Sequence, residues 1–173
     1  ATQTQGFAPG FALEARYYKT MAQAMLGQID TTKLRTSMRT LANEASRFPN
    51  IANRARLEIA DALRLENKND EAKQEYEDLL AKDYTSDEVR AGAWLGLGLL
   101  QFAEANPANR EAYREALLSF LRVYVETPDA TPAVVAESLH MGSVAAERWN
   151  GPDSQNMSRR LRSLCNRIFP ENP

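Results

Sequence analysis

Histidine and cysteine, two residue types that often act in catalysis or bind metal ions, each occur once in this sequence. His140 is its single histidine and Cys165 its single cysteine. A histidine can serve as a general base or a metal ligand, and a cysteine can serve as a nucleophile when a neighbouring base activates it. A metal site needs several nitrogen, sulfur or carboxylate donors, and the sequence has no cluster of Cys and His. We therefore expect no catalytic residue, no cofactor and no metal site.

Carboxylates are abundant in one short stretch, which contains Glu66, Asp70, Glu71, Glu75, Glu77 and Asp78. A hydrolase of the acidic-pair type needs two carboxylates that converge in a cleft, and the spacing here does not indicate such a pair. Glu71 and Glu75 are four residues apart, so they repel each other on one helix face and are expected to face water. The glycines in "WLGLGLL" lack the lysine of a phosphate-binding loop and follow no strand.

The last helical segment is basic, with Arg159, Arg160, Arg162 and Arg167. Such a run could contact RNA, phosphate or an acidic partner, or it could be a solvated face whose cations suit a helix C-terminus. The whole chain has 21 basic and 23 acidic residues, a net charge of -2, which argues against nucleic acid as the partner.

The uncharged stretch 91–103 is shorter than the roughly 20 apolar residues that span a bilayer, so we expect no membrane span.

The elements that position these residues are predicted to be helices. Apolar residues recur at helical offsets in eight segments separated by Gly, Pro and polar turns: 11–26, 32–47, 51–66, 71–82, 88–105, 111–126, 132–149 and 154–168. In the first segment, the spacing predicts a buried face of Tyr18, Met21, Ala22, Met25 and Leu26. Residues 1–10 lack this periodicity, so we expect a flexible N-terminal arm followed by one helical domain over 11–173.

The helices repeat as pairs. Ala72 and Ala116 are 44 residues apart, and an aromatic residue, Tyr76 or Phe120, follows each alanine by four residues. Gly98 lies in mid-helix, where glycine costs about 1 kcal/mol against alanine, so we expect it at a close packing contact. A lone hairpin cannot bury its apolar stripe, whereas a stack of hairpins shares one core. The sequence therefore predicts about four antiparallel hairpins.

At these positions the sequence resembles the tetratricopeptide repeat (TPR) family. The first-helix pattern matches Trp94, Leu97 and Gly98, and the second-helix pattern matches Ala116, Phe120, Val123 and Pro128. The resemblance covers about residues 50–128 closely and the rest loosely. It implies an all-α fold, a right-handed α-α superhelix or solenoid of about four antiparallel hairpins. The stretch "FPNIANRARLEIADAL" also resembles bacterial envelope TPR lipoproteins, which favours a periplasmic or membrane-associated location over a cytoplasmic one.

The resemblance implies a non-catalytic scaffold or adaptor that binds another protein, as a peptide or a helix, in a concave groove. The predicted groove consists of Arg54, Leu57, Asp61, Arg64, Leu95, Leu99, Phe102, Leu139 and Ser143. Two alternatives remain open. The chain could be a structural accessory subunit that contacts a larger complex through its edges, or a fragment of an enzyme that uses His140.

Overall fold

The computed structural model describes residues 9–170, and this part of the chain is helical, without strands. Its eight helices are α1 (Pro9–Met25), α2 (Thr31–Glu44), α3 (Pro49–Leu65), α4 (Asn69–Leu80), α5 (Asp87–Glu104), α6 (Arg110–Glu126), α7 (Pro132–Trp149) and α8 (Ser154–Ile168). The predicted all-α class is confirmed. The last two helices have the predicted bounds, and each of the others differs from the prediction by one to three residues at one or both ends.

Local chemistry explains several helix ends. The Asp30 side chain accepts a hydrogen bond of 2.7 Å from the backbone N–H of Lys33, which caps α2. Pro49 and Pro132 occupy the first turns of α3 and α7, where their missing N–H groups cost nothing. Gly27 follows α1 with φ of +67°, a conformation that glycine adopts without strain.

The last two residues of the predicted N-terminal arm, 9 and 10, are helical. Helix α1 begins at Pro9, so Pro9 and Gly10 belong to the helix. A Cβ atom on Gly10 would lie 3.1 Å from the Phe48 ring, which places the first turn of α1 directly against that side chain. The rest of the predicted arm, 1–8, lies outside the described residues.

The chain forms two compact units, and the boundary between them, after Glu75, falls inside α4. In the first unit, α2 packs against α1 and α3, and α1 also touches α3. Its buried apolar side chains include Met38, Leu41, Ala55, Ile59 and Leu63. The helical spacing of apolar residues predicts an inward face of Leu34, Met38, Leu41, Ala42 and Ala45 for α2 and of Ala52, Ala55, Ile59, Ala60 and Leu63 for α3. These faces contain the five buried residues, so helical periodicity located this core correctly.

The buried face predicted for α1 is wrong. Tyr18, Met25 and Leu26 are 53%, 85% and 72% exposed, whereas Tyr17 is only 7% exposed. Neighbouring residues on a helix point about 100° apart, so the error is a rotation by one residue. The Tyr17 hydroxyl donates a hydrogen bond to Glu58 on α3, and this tertiary contact fixes which tyrosine lies between the helices.

The second unit, from Tyr76 onward, packs α6 against α5 and α7, α7 against α8, and α5 against α7. Its core contains Leu117, Phe120, Val123, Leu139 and Leu161. A Cβ atom on Gly98 would lie 2.5 Å from the Phe120 ring, and one on Gly96 would lie 2.2 Å from the Tyr76 ring. Glycine at these two positions lets each aromatic ring lie directly on the backbone of α5.

Candidate interaction surfaces

Three residues of the predicted groove are buried in the second unit. Leu95 is 8% exposed, Leu139 is 1% exposed and Ser143 is fully buried. The Ser143 hydroxyl donates a hydrogen bond of 2.7 Å to the His140 carbonyl oxygen. Helix α7 contacts α5, α6 and α8, so its inward face has no room for a partner. These three residues therefore hold the unit together and do not line an open groove.

Two other predicted groove residues of this unit, Leu99 and Phe102, are partly buried and pack against the core. The Phe102 ring meets the Tyr113 ring edge-on, with centroids 5.3 Å apart. Both side chains therefore contribute to packing within the second unit, and Phe102 contacts α6.

The remaining four predicted groove residues, Arg54, Leu57, Asp61 and Arg64, lie on α3 in the first unit, and each is partly exposed. Two tyrosines of α1 contact Arg54. Its guanidinium carbon lies 4.6 Å from the centroid of the Tyr17 ring and 5.1 Å from that of Tyr18. Its Nη2 atom also donates a hydrogen bond of 3.2 Å to the Tyr18 hydroxyl.

Carboxylates lie close to Arg54 and also to Arg64, which follows it on α3. Glu14 lies 3.8 Å from Arg54 Nη1, and the Tyr17 hydroxyl donates a hydrogen bond of 2.7 Å to Glu58. Further along α3, Arg64 Nη2 lies 3.5 Å from Asp61. We call the set Glu14, Tyr17, Tyr18, Arg54, Leu57, Glu58, Asp61 and Arg64 the tyrosine–arginine surface. It presents aromatic, apolar and charged groups whose positions are fixed by contacts within the unit.

A cleft of about 390 Å³ lies in the second unit, between the end of α4 and the helices α5 and α6. We call it the tryptophan cleft. It is lined by Glu77, Leu80, Trp94, Leu97, Gln101, Glu115, Leu118, Ser119 and Arg122. Leu118 is 47% exposed, and together with Leu80, Leu97 and the Trp94 ring it forms the apolar part of a cleft whose other lining residues are polar or charged.

The two ends of the tryptophan cleft differ in their polar groups. At one end, the Arg122 guanidinium stacks 4.3 Å from the Trp94 ring centroid, and the indole N–H donates to Glu126 at 3.1 Å. At the other end, the Ser119 hydroxyl donates to Gln101 at 2.7 Å. The carboxylates of Glu77 and Glu115 are exposed at the cleft and form no ion pair with any described residue.

One carboxylate has a strongly perturbed titration. Hydrogen bonds from Lys68 and Arg35 lower the pKa of Glu66 from its ordinary value of 4.5 to about 2, more than partial burial raises it. The Lys68 ammonium lies 2.6 Å and the Arg35 Nε atom 3.0 Å from the Glu66 carboxylate. Because Glu66 follows α3 and Arg35 lies on α2, this cluster ties two helices of the first unit together.

The two candidate catalytic side chains lie on the packed helices α7 and α8, and no hydrogen bond joins them. His140 is exposed on α7, and Cys165 is half-buried with its sulfur 3.7 Å from the Ala136 carbonyl oxygen. Among residues 9–170, no group of three or more His, Cys, Asp and Glu side chains could hold a metal ion. No helix in that range has the length and apolar character needed to cross a bilayer.

Comparison with models of known protein families, with curated proteins and with solved structures gave no match. The description of the tyrosine–arginine surface and the tryptophan cleft therefore rests on their geometry alone. Sequence reasoning did not find Tyr17, Glu58, Leu118 or Arg122. A different helical face of α1, built on Leu13, Tyr17 and Ala24, was the signal that could have found the buried tyrosine.

Proposed function

We propose that this protein is a non-catalytic adaptor that binds a peptide or helix of another protein, and that its helices form a TPR-like stack of hairpins. Contacts between helices two apart in sequence, α1 with α3 and α5 with α7, support the stack. In a repeat array the first helices of successive hairpins pack in this way. The proposal assigns no catalytic role to His140.

The tyrosine–arginine surface is the observation that carries this proposal. Tyrosine and arginine are the residue types most enriched at the energetic centres of protein interfaces, together with tryptophan. Here Arg54 is held by two tyrosine rings, and Tyr18 remains 53% exposed. A side chain that is already held in place loses little conformational entropy when a partner binds.

The chemistry of this surface suits a partner segment with both apolar and charged groups. Leu57, Asp61 and Arg64 are partly exposed and lie on one face of α3, at positions i, i+4 and i+7. An extended peptide or an amphipathic helix laid along α3 could contact all three residues.

The test is selection from a random 16-residue peptide library displayed on phage, followed by titration of the selected peptides by fluorescence anisotropy. Arg64→Glu and Leu57→Ala should weaken binding about tenfold or more, as substitutions at interface centres do. Arg39→Glu is the matched control, because it makes the same charge change at an exposed position of α2 in the same unit. Selected peptides whose affinity is unchanged by Arg64→Glu and Leu57→Ala would refute this site.

A second candidate function, that of a structural subunit contacting a larger complex, is favoured by a different surface. An apolar depression of about 580 Å³ lies where α6 and α8 end, lined by residues that include Tyr124, Val125, Pro132, Val135 and Ile168. Val125 is 72% exposed, and contiguous exposed apolar groups often mark interaction sites. A photo-crosslinking amino acid placed at Val125 or at Tyr18 should show which surface contacts protein in cells.

A further inference from the structure

We propose that the tryptophan cleft is a second, independent interaction site, and that it takes a large apolar side chain flanked by Lys or Arg in a basic amphipathic segment of a partner protein. The cleft lies wholly in the second unit, so this inference does not depend on the tyrosine–arginine surface.

The shape of the cleft and its apolar residues favour a large apolar side chain of the partner, which we call the anchor. Leu80, Trp94, Leu97 and Leu118 supply its apolar surface, and its volume of about 390 Å³ exceeds that of one leucine or phenylalanine side chain. The hot spots of protein interfaces are enriched in Trp and Arg and cluster in well-packed pockets, and Trp94 and Arg122 both line this cleft. Leu118, at 47% exposed, is the leucine that would lose most water contact when an anchor binds.

Charge selects the residues that flank the anchor. Glu77 lies on α4 and Glu115 on α6, so an acidic side chain enters the cleft from each of two helices, and neither carboxylate has an ion-pair partner among the described residues. The one basic residue of the lining, Arg122, is paired with Glu126 and stacked on Trp94. The cleft therefore offers two unpaired negative charges, and complementary charges favour a basic segment over an acidic one.

The indole groups of the protein allow the cleft to be observed directly. The chain has two tryptophans, and Trp94 lines the cleft, whereas Trp149 does not. In a ¹H–¹⁵N NMR titration of the full chain, the Trp94 indole signal reports on the cleft and the Trp149 signal serves as an internal control. The probe is a 12-residue peptide with Leu and Lys at helical spacing, and the comparison peptide has Glu in place of every Lys.

The Lys peptide should shift the Trp94 signal more than the Trp149 signal and bind about tenfold more tightly than the Glu peptide, because each of two partly exposed ion pairs contributes modestly. The double variant Glu77→Lys/Glu115→Lys should reverse this preference and bind the Glu peptide more tightly. Glu137→Lys, at an exposed position of α7, is a control for charge reversal outside the cleft and should leave the preference unchanged.

Leu118→Ala tests the apolar anchor and should weaken binding of the Lys peptide several-fold. Leu65→Ala, at a leucine that is 63% exposed on α3, is its control. Circular dichroism checks that each variant is folded. Equal affinity for the two peptides, a preference that survives the Glu77→Lys/Glu115→Lys change, or equal shifts of the two indole signals would overturn the proposal. A self-association that the same variants abolish would also overturn it, because the occupant would then be a second copy of this chain.

Discussion

The Phe120 ring of α6 lies on the backbone of α5 at Gly98, so closely that a Cβ atom at that position would be 2.5 Å from the ring. Phe120 is fully buried, and no side chain larger than a hydrogen atom fits at position 98 between the ring and the helix backbone. Gly96, two residues earlier, has the same relation to Tyr76. Helix α5 thus receives an aromatic ring from each of two other helices, and the glycines make both contacts possible.

Gly98→Ala should therefore destabilise the protein by about 1–3 kcal/mol through overpacking, despite the better helix propensity of alanine. Gly142→Ala is the matched control on α7, where an added Cβ atom would lie 3.5 Å from Leu161, an ordinary contact. That substitution should stabilise by about 0.5–1 kcal/mol. Urea unfolding measured by circular dichroism gives both free energies, and equal effects at the two glycines would contradict this account.

Tyr17→Phe should lower the free energy of unfolding by about 1–2 kcal/mol, because it removes a hydrogen bond to the Glu58 carboxylate. Tyr18→Phe removes the hydrogen bond of 3.2 Å that the Tyr18 hydroxyl accepts from Arg54. Because this tyrosine is 53% exposed, the substitution should cost less than about 0.5 kcal/mol. Thermal unfolding of the two variants compares them directly. A larger loss at Tyr18 would mean that α1 packs with the face predicted from the sequence.

The Glu66 cluster should make stability depend on pH. The folded pKa of Glu66, about 2, lies below its ordinary value of 4.5, so the folded state favours the ionised carboxylate. This stabilisation is fully present above pH 4.5 and is lost as the pH falls towards 2. Glu66→Gln should therefore be less stable than the original protein at pH 6, and the difference should shrink as the pH is lowered.

The control for this pH effect is the double variant Arg35→Gln/Lys68→Gln, which removes both hydrogen-bond donors that lower the Glu66 pKa. In that background, Glu66→Gln should change the free energy of unfolding by nearly the same amount at both pH values. Urea titrations at several pH values provide the measurement. A pH-dependent difference that persists in this background would assign the effect to other groups.

Arg122→Ala should cost about 0.5–1 kcal/mol, the usual size of an exposed cation–π interaction, because the guanidinium lies 4.3 Å from the Trp94 ring centroid. Arg114→Ala is the matched control, since Arg114 lies 6.0 Å from the Trp149 ring centroid, at the limit of this interaction. Its loss should be smaller. Chemical denaturation followed by circular dichroism distinguishes the two, and equal losses would show that the stacking on Trp94 contributes nothing measurable.

The sequence alone determined the helices of this protein. Helix formation depends on neighbours within a few residues, and the periodic apolar positions and the Pro, Gly and Asp signals are local features. The bounds of α7 and α8 and the close contact at Gly98 could therefore be predicted.

Only the tertiary structure decided which side chains remain open to a partner. A shift of one residue turns a helix face by about 100°, and the local pattern allowed both Tyr17 and Tyr18 to face inward. Leu139 and Ser143 became core because α7 packs against α6 and α8, its neighbours in the chain, and also against α5. The tryptophan cleft, too, exists only because α4, α5 and α6 bring together side chains from three segments. Such surfaces depend on how helices pack, and helical periodicity carries no information about which neighbour covers which face.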